Sequence, residues 1–462
     1  MIFAIPSLVI SAAIFYFAII GIKTTVEKHQ GGHGLILLRD LLKYAALLIS
    51  VVIICFGLAG LITLLIDTVS SSYDDKVNAA RWLSFVFVGI PVLVILARWI
   101  RKDFAKNHQA SHEPAWQIYL LASTSLSLII WFIPLPSALR WFAGGVYEPR
   151  AISQSVIAFI VWLIHLQLMK KHHSIITNIH RFIGWFVGFV GIALSLINLI
   201  DYLISKSTDL HVGHFQLQDV VILAVISAPL ALYYWQNFEL HATTLEARIY
   251  RTFAGMALPI LFGTIAATFV IHQFLSWNFD TRYQDRQAFF NDVPAQIGTV
   301  LVMIPVLLYF RRLIGDYERD DIGRVFQYLI TIGGVLGIAI GIGAIVKGFL
   351  DETDKDALLF GISILATTSP TWFRNWRHCQ FAMSIDFEGE HHSPIRRIFL
   401  YAATGISTLV CIGSAVWVTY NLFRALLIGE FDRIAISTPA GFLVGAGVVA
   451  IYHANVLRKE RD

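Results

Sequence analysis

Residues 324–350 read RVFQYLITIGGVLGIAIGIGAIVKGFL, with no charged side chain between Arg324 and Lys347. At about 1.5 Å of rise per residue such a run crosses the roughly 30 Å hydrocarbon core of a bilayer as a helix, whereas a barrel strand needs only about ten alternating residues. Its opening, a polar residue followed four places on by an aromatic, recurs along the chain. Asp40 leads to Tyr44, Arg181 to Trp185, Arg324 to Tyr328 and Arg397 to Tyr401, with looser versions at Trp116–Tyr119 and Arg251–Phe253. The six openings stand roughly 70 residues apart, which suits one two-span hairpin with its loops.

Composition says the same of the whole chain. Its 462 residues are 56% hydrophobic and 14% charged, with a mean hydropathy of +0.67; soluble domains carry roughly 25% charged residues. Apolar runs recur at 2–22, 41–67, 81–100, 117–142, 153–170, 181–204, 218–236, 251–276, 292–310, 324–350, 356–373, 397–423 and 435–457. The expected fold is therefore an all-α integral membrane protein of about thirteen transmembrane helices, a first helix followed by six tandem two-helix repeats. The expected divisions are 1–34 for the N-terminal helix, then 35–108, 109–174, 175–245, 246–318, 319–391 and 392–462 for the repeats. Two spans per unit make every unit enter the membrane in the same direction, so the repeats are parallel rather than inverted. Met1–Ile22 lacks the basic residues that open a secretory signal and is read as a span.

Charge sets orientation. About 24 of the 35 lysines and arginines fall on one side of the predicted spans and about 11 on the other. Arg98, Arg101, Lys102 and Lys106 form one basic cluster, Arg311, Arg312, Arg319 and Arg324 another, and Arg374, Arg377, Arg396 and Arg397 a third. Because such clusters stay on the cytoplasmic side, the N-terminus is expected outside and the C-terminus inside. The net charge of +4 belongs to these topology signals, and no nucleic-acid partner is expected.

The second helix of four repeats holds a proline in its inner half, Pro91, Pro229, Pro305 and Pro370; repeats two and six instead carry His165 and His453 near the same depth. Arg324 to Tyr328, Arg397 to Tyr401, Trp372 to Trp376 and Trp162 to His165 together resemble a bacterial family of uncharacterised multi-pass membrane proteins built from tandem two-helix domains of unknown function. The resemblance covers nearly the whole chain. It implies a bacterial plasma (inner) membrane location and lends no catalytic residues.

Ionisable groups inside a membrane are the default functional candidates, because a bare charge at mid-bilayer costs at least about 2.5 kcal/mol. Here they are Asp201, with Asn198 beside it, and Lys347, all near helix ends; they either snorkel to headgroups or line a cavity. His165, His272 and His453 are the intramembrane histidines, expected to hydrogen-bond across helix contacts. Haem would need two of them facing each other at one depth, and only His165 and His453 suit that; no cofactor is predicted. Gly333, Gly337 and Gly341, Gly184 and Gly188, and Gly441 and Gly445 are spaced by four and mark helix packing. Cys55, Cys379 and Cys411 show no metal or disulfide spacing.

No phosphate-binding loop, HExxH or GxSxG is present, so no enzyme is expected. Two roles remain. One is transport or permeation of a small, weakly charged or lipidic solute. The other is a scaffold or accessory subunit whose partners are membrane lipids, another membrane protein or a second copy of the chain.

Overall fold

The computed structural model describes residues 33–67, 73–106, 114–170, 175–207, 216–236, 245–279, 286–314, 321–351, 354–429 and 432–461, and among these there is no strand. The chain divides into two compact units, Met1–Ile192 with Gln218–Glu239, and Ala193–Leu217 with Leu240–Asp462.

The first unit holds α1 (His33–Ile66), α2 (Tyr73–Lys106), α3 (Pro114–Phe132), a short α4 (Leu135–Arg140) and α5 (Pro149–Lys170). It also takes the first half of α6 (Ile175–Ser207), and α7 (Leu217–Gln236). The second unit holds α8 (Leu245–Thr252), a π-helical turn at Phe253–Ala257, α9 (Leu258–Phe279), α10 (Arg286–Ile314) and α11 (Asp321–Leu350). It continues with α12 (Lys355–Ile385), a short α13 (Phe387–His391), α14 (Pro394–Ile428) and α15 (Arg433–Arg461).

Eleven helical stretches of the described residues are long and apolar enough to cross a membrane. The protein is thus a polytopic α-helical membrane protein, because in lipid a helix satisfies every backbone donor within its own segment. Of the thirteen expected spans, 2–22 lies outside the described residues. The span expected at 356–373 is helical within α12 but is not among the eleven. The reason is its hydroxyls. Ser363, Thr367, Thr368 and Thr371 donate to carbonyls of their own helix, to Leu359, Ser363, Ile364 and Thr367 respectively. That local bonding keeps such residues compatible with an apolar surrounding while lowering mean hydropathy.

Helices pack closely where glycines allow it. A Cβ at Gly188 would stand 2.5 Å from the Ala231 backbone nitrogen, and one at Gly184 would run into the Tyr234 ring, so α6 lies directly against α7. Gly337 and Gly341 of α11 meet Thr368 and Leu365 of α12. Gly441 and Gly445 of α15 meet the carbonyl oxygens of Gly343 and Ala339 on α11, a backbone-to-backbone approach that no larger residue permits. Gly333 is the exception: it faces open space, and its neighbour Gly334 is the residue packed on α12, against Trp372. Spacing by four places Gly333 on the stripe, but the turn of the helix carries the α12 contact one residue away.

Within each unit one four-helix group has the same pattern of neighbours. In the first, α1 packs on α2, α3 and α5, and α3 packs on α5; in the second, α11 packs on α12, α14 and α15, and α14 packs on α15. The correspondence extends to single contacts. Gly57 meets Val86 and Phe85 as Gly341 meets Leu365 and Ile364. Tyr44, Ile100, Tyr119, Leu120 and Met169 form one buried cluster; Tyr328, Cys379, Phe399 and Leu400, with Leu457 packed against them, form the other.

Each cluster also buries a cation at its basic end. Lys43, 5% exposed, lies 2.9 Å from Asp103 and 3.2 Å from Asp40, with its ammonium 4.8 Å from the centre of the Tyr44 ring. Arg396, 0% exposed, holds Glu460 at 2.5 Å and donates to the Tyr328 hydroxyl at 3.0 Å. Ordinary charged residues are not buried unless paired in this way.

Candidate amphiphile cavity

The second unit forms a half-open cavity of about 400 Å³ between α8, α9, α10, α11 and α12. Each wall is a stripe along a helix. Val300, Met303, Ile304, Leu307 and Arg311 of α10 recur at helical spacing, as do Thr371, Arg374, Asn375 and His378 of α12. From the other side come Arg248, Arg251 and Thr252 of α8, then Met256, Pro259, Ile260, Gly263 and Thr264. Gly323, Phe326 and Gln327 of α11 complete it.

The lining is sorted by chemistry. Arg248, Arg251, Arg311, Arg374 and His378 lie with the polar Gln327 and Asn375, while methionines, isoleucines and Leu307 supply the apolar wall. No aspartate or glutamate lines the cavity. Such a site attracts a negative group at one end and offers apolar surface for a chain, the usual make-up of a pre-formed ligand pocket with a few placed polar groups. Its volume also falls in the usual range of about 300–1,000 Å³.

The π-helical turn has a local cause. Pro259 has no N–H, and its ring would crowd the carbonyl four residues back, that of Gly255. The chain widens there, and the N–H of Leu258 reaches the carbonyl of Phe253 instead. Gly255 is required on that turn because the Phe310 ring occupies the place of a Cβ. Met256 and Pro259 are thereby placed on the cavity wall. Single π turns of this kind are concentrated at functional sites.

None of the six polar residues singled out in the sequence lines this cavity. Lys347 pairs with Asp354 at 2.6 Å, and Asp354 also caps α12 by accepting from the Ala357 N–H, so Lys347 ties the end of α11 to the start of α12 instead of lining a cavity. Asp201 is 4% exposed, so its carboxylate does not snorkel outward, and Asn198 is half-buried one turn earlier. His272 stands 3.1 Å from Asp356 and edge-on to Phe360.

His165 and His453 hold equivalent places in their four-helix groups. Each Nδ1 donates to the carbonyl one turn back, Val161 at 2.8 Å and Val449 at 2.9 Å, which leaves Nε2 as an acceptor. At His165 the Tyr119 hydroxyl donates to it at 2.9 Å. At His453 the equivalent aromatic is Phe399, which has no hydroxyl, and the buried Nε2 has no partner. Tyr119→Phe is therefore expected to destabilise the protein by about 1–3 kcal/mol, the cost of orphaning a buried acceptor. Phe399→Tyr is expected to add about 1 kcal/mol. Thermal unfolding of both variants in detergent checks this: equal shifts of the same sign would contradict the assignment.

His180 escaped the sequence reading although it is fully buried; its Nε2 meets the Tyr234 hydroxyl at 2.9 Å and its Nδ1 the Ser125 hydroxyl at 3.2 Å. The cavity residues were missed for a different reason. Arg374 reads in the sequence as one of a basic cluster that sets orientation, although the spacing of Thr371, Arg374, Asn375 and His378 is a legible stripe.

No curated protein and no solved structure matches the chain. A family model described as a domain of unknown function, DUF5671, matches residues 40–164 and again 324–452. Each match spans one of the two equivalent four-helix groups, α1 to α5 and α11 to α15. The chain therefore belongs to the DUF5671 family and carries that domain twice.

Proposed function

We propose that this protein binds a lipidic solute in the cavity of its second unit and carries it into or across a bacterial plasma membrane, without a catalytic step. The supporting observation is the cavity itself, apolar along α9 and α10 and arginine-rich where α8, α10 and α12 meet. An aqueous ion path needs polar groups along its length, whereas Met303, Ile304 and Leu307 favour a hydrocarbon chain. A scaffold that binds through its outer surface has no use for such an interior. Arg311 and Arg374 belong to the basic clusters expected on the cytoplasmic side, so the solute enters from the inner leaflet, with the N-terminus outside and the C-terminus inside.

Gly263 is the place to test this. A Cβ there meets only Met303, at 3.6 Å, so the position opens on the cavity without crowding. Gly263→Trp is expected to fill the space, to leave folding intact and to cut co-purifying lipid about tenfold, the equivalent of about 1.4 kcal/mol. Lipid extraction and mass spectrometry of wild type and variant read the result. Unchanged lipid in a folded Gly263→Trp protein would remove the proposal.

A further inference from the structure

We infer that the head of the bound lipid is a phosphate, recognised by Arg374 of the second domain copy together with Arg248, Arg251 and Arg311 of the helices that precede that copy; this rests on the amphiphile reading of the cavity. The first support is charge. Four arginines converge on the cavity and no carboxylate lines it. Among the described residues, Arg311 and Arg374 make no ion pair. Guanidinium groups present planar forks that match phosphate oxygens two at a time, so several arginines around one anion fit a phosphate better than a single carboxylate.

The second support comes from comparing the copies. The contacts of Gly57 with Val86 and of Gly341 with Leu365 fix the register of α2 against α12, and Pro91 then falls on Pro370. In that register the cavity-lining Thr371, Arg374, Asn375 and His378 correspond to Val92, Ile95, Leu96 and Trp99. The stripe is wholly apolar in the first copy, where Val92, Ile95 and Trp99 are 40%, 64% and 45% exposed on a lipid-facing surface. One scaffold thus carries a hydrocarbon-facing stripe in one copy and an anion-facing stripe in the other. Retaining the fold requires neither choice, so the polar stripe answers to a ligand.

The size of the cavity fixes how much of the lipid enters. About 400 Å³ accommodates a phosphate with the first carbons of a chain, and the rest lies along the apolar wall of α10. The occupant is accordingly a phospholipid with an exposed, anionic phosphate, such as a phosphatidic acid, in preference to one whose phosphate is covered by a choline.

The test uses the purified full chain in a neutral detergent, with binding of dioleoyl phosphatidic acid, dioleoyl phosphatidylcholine, oleate and inorganic phosphate followed by native mass spectrometry and thermal shift. Phosphatidic acid is expected to bind at least about tenfold more tightly than phosphatidylcholine or oleate, with inorganic phosphate far weaker, because the wall contributes to affinity as well as the head. Arg311 and Arg374 are both exposed, so Arg311→Gln with Arg374→Gln preserves the fold, and it is expected to bring phosphatidic acid down to the level of phosphatidylcholine. Arg377→Gln, three residues beyond Arg374 and outside the lining, is expected to change nothing. Equal binding of phosphatidic acid and phosphatidylcholine, both lost in Gly263→Trp, would overturn the phosphate inference and leave the amphiphile reading standing. Oleate matching phosphatidic acid would overturn it in favour of any anion. Inorganic phosphate matching it would replace the lipid with a free anion. Binding indifferent to Gly263→Trp would sink both.

Discussion

Arg396→Ala is expected to unfold the second unit more readily than any other single substitution named here, lowering stability by about 3–5 kcal/mol. The side chain is 0% exposed and sits at the first turn of α14. It joins three elements at once: Glu460 of α15 at 2.5 Å, the Tyr328 hydroxyl of α11 at 3.0 Å, and the Trp376 ring of α12, whose centre lies 5.6 Å from the guanidinium carbon. Removing it strands a carboxylate that is 16% exposed and an aromatic hydroxyl inside the cluster, while leaving a cavity where the guanidinium was. Arg396→Lys keeps the charge but not the fork, so it is expected to recover less than half of the loss. Unfolding by a denaturing detergent, followed by circular dichroism, measures both. A loss under about 1 kcal/mol for the alanine variant would show that the pair is a surface-like contact after all.

Lys43→Met is the corresponding experiment in the first unit, with an expected loss of about 3 kcal/mol, the lower end of the range for breaking a buried pair. Lys43 bridges Asp40 on its own helix and Asp103 on α2, and methionine of similar length removes the charge without removing the packing. Asp103 is about a third exposed and regains water, which is why the effect is smaller than for Arg396. Asp40, 6% exposed, does not. Combining Lys43→Met with Asp40→Asn is therefore expected to restore a large part of the stability, because the stranded charge goes as well. If the double variant is as unstable as the single one, the loss comes from packing and the charge account is wrong.

These two sites illustrate what the repeated domain keeps and what it varies. Both copies place a buried cation beneath a tyrosine at the start of their first helix, yet the cation comes from α1 in one and from α14 in the other. Trp116 stands in the first copy where Arg396 stands in the second, in contact with Tyr44 at a ring distance of 5.4 Å. The contact keeps its place while its chemistry changes from a tilted ring pair to a hydrogen bond. Tyr119 and Phe399 differ in the same manner over their histidines.

Eleven of the expected spans are legible in the sequence alone, since twenty-residue apolar runs admit only one backbone arrangement in lipid. The sequence also determined close packing at Gly188, Gly441 and Gly445, where a missing side chain is read directly as room for another backbone. It did not determine which polar groups converge. Lys347, His272 and Asp201 stood out because each is isolated in an apolar run, and each is held within the protein away from the cavity. Arg248, Arg311 and Arg374 lie far apart in the chain, at helix ends where arginines are common. Only the packing of α8, α10, α11 and α12 turns them toward one space, because convergence is a property of how helices are rotated about their axes, and a local sequence fixes a helix without fixing the neighbour its stripe will face.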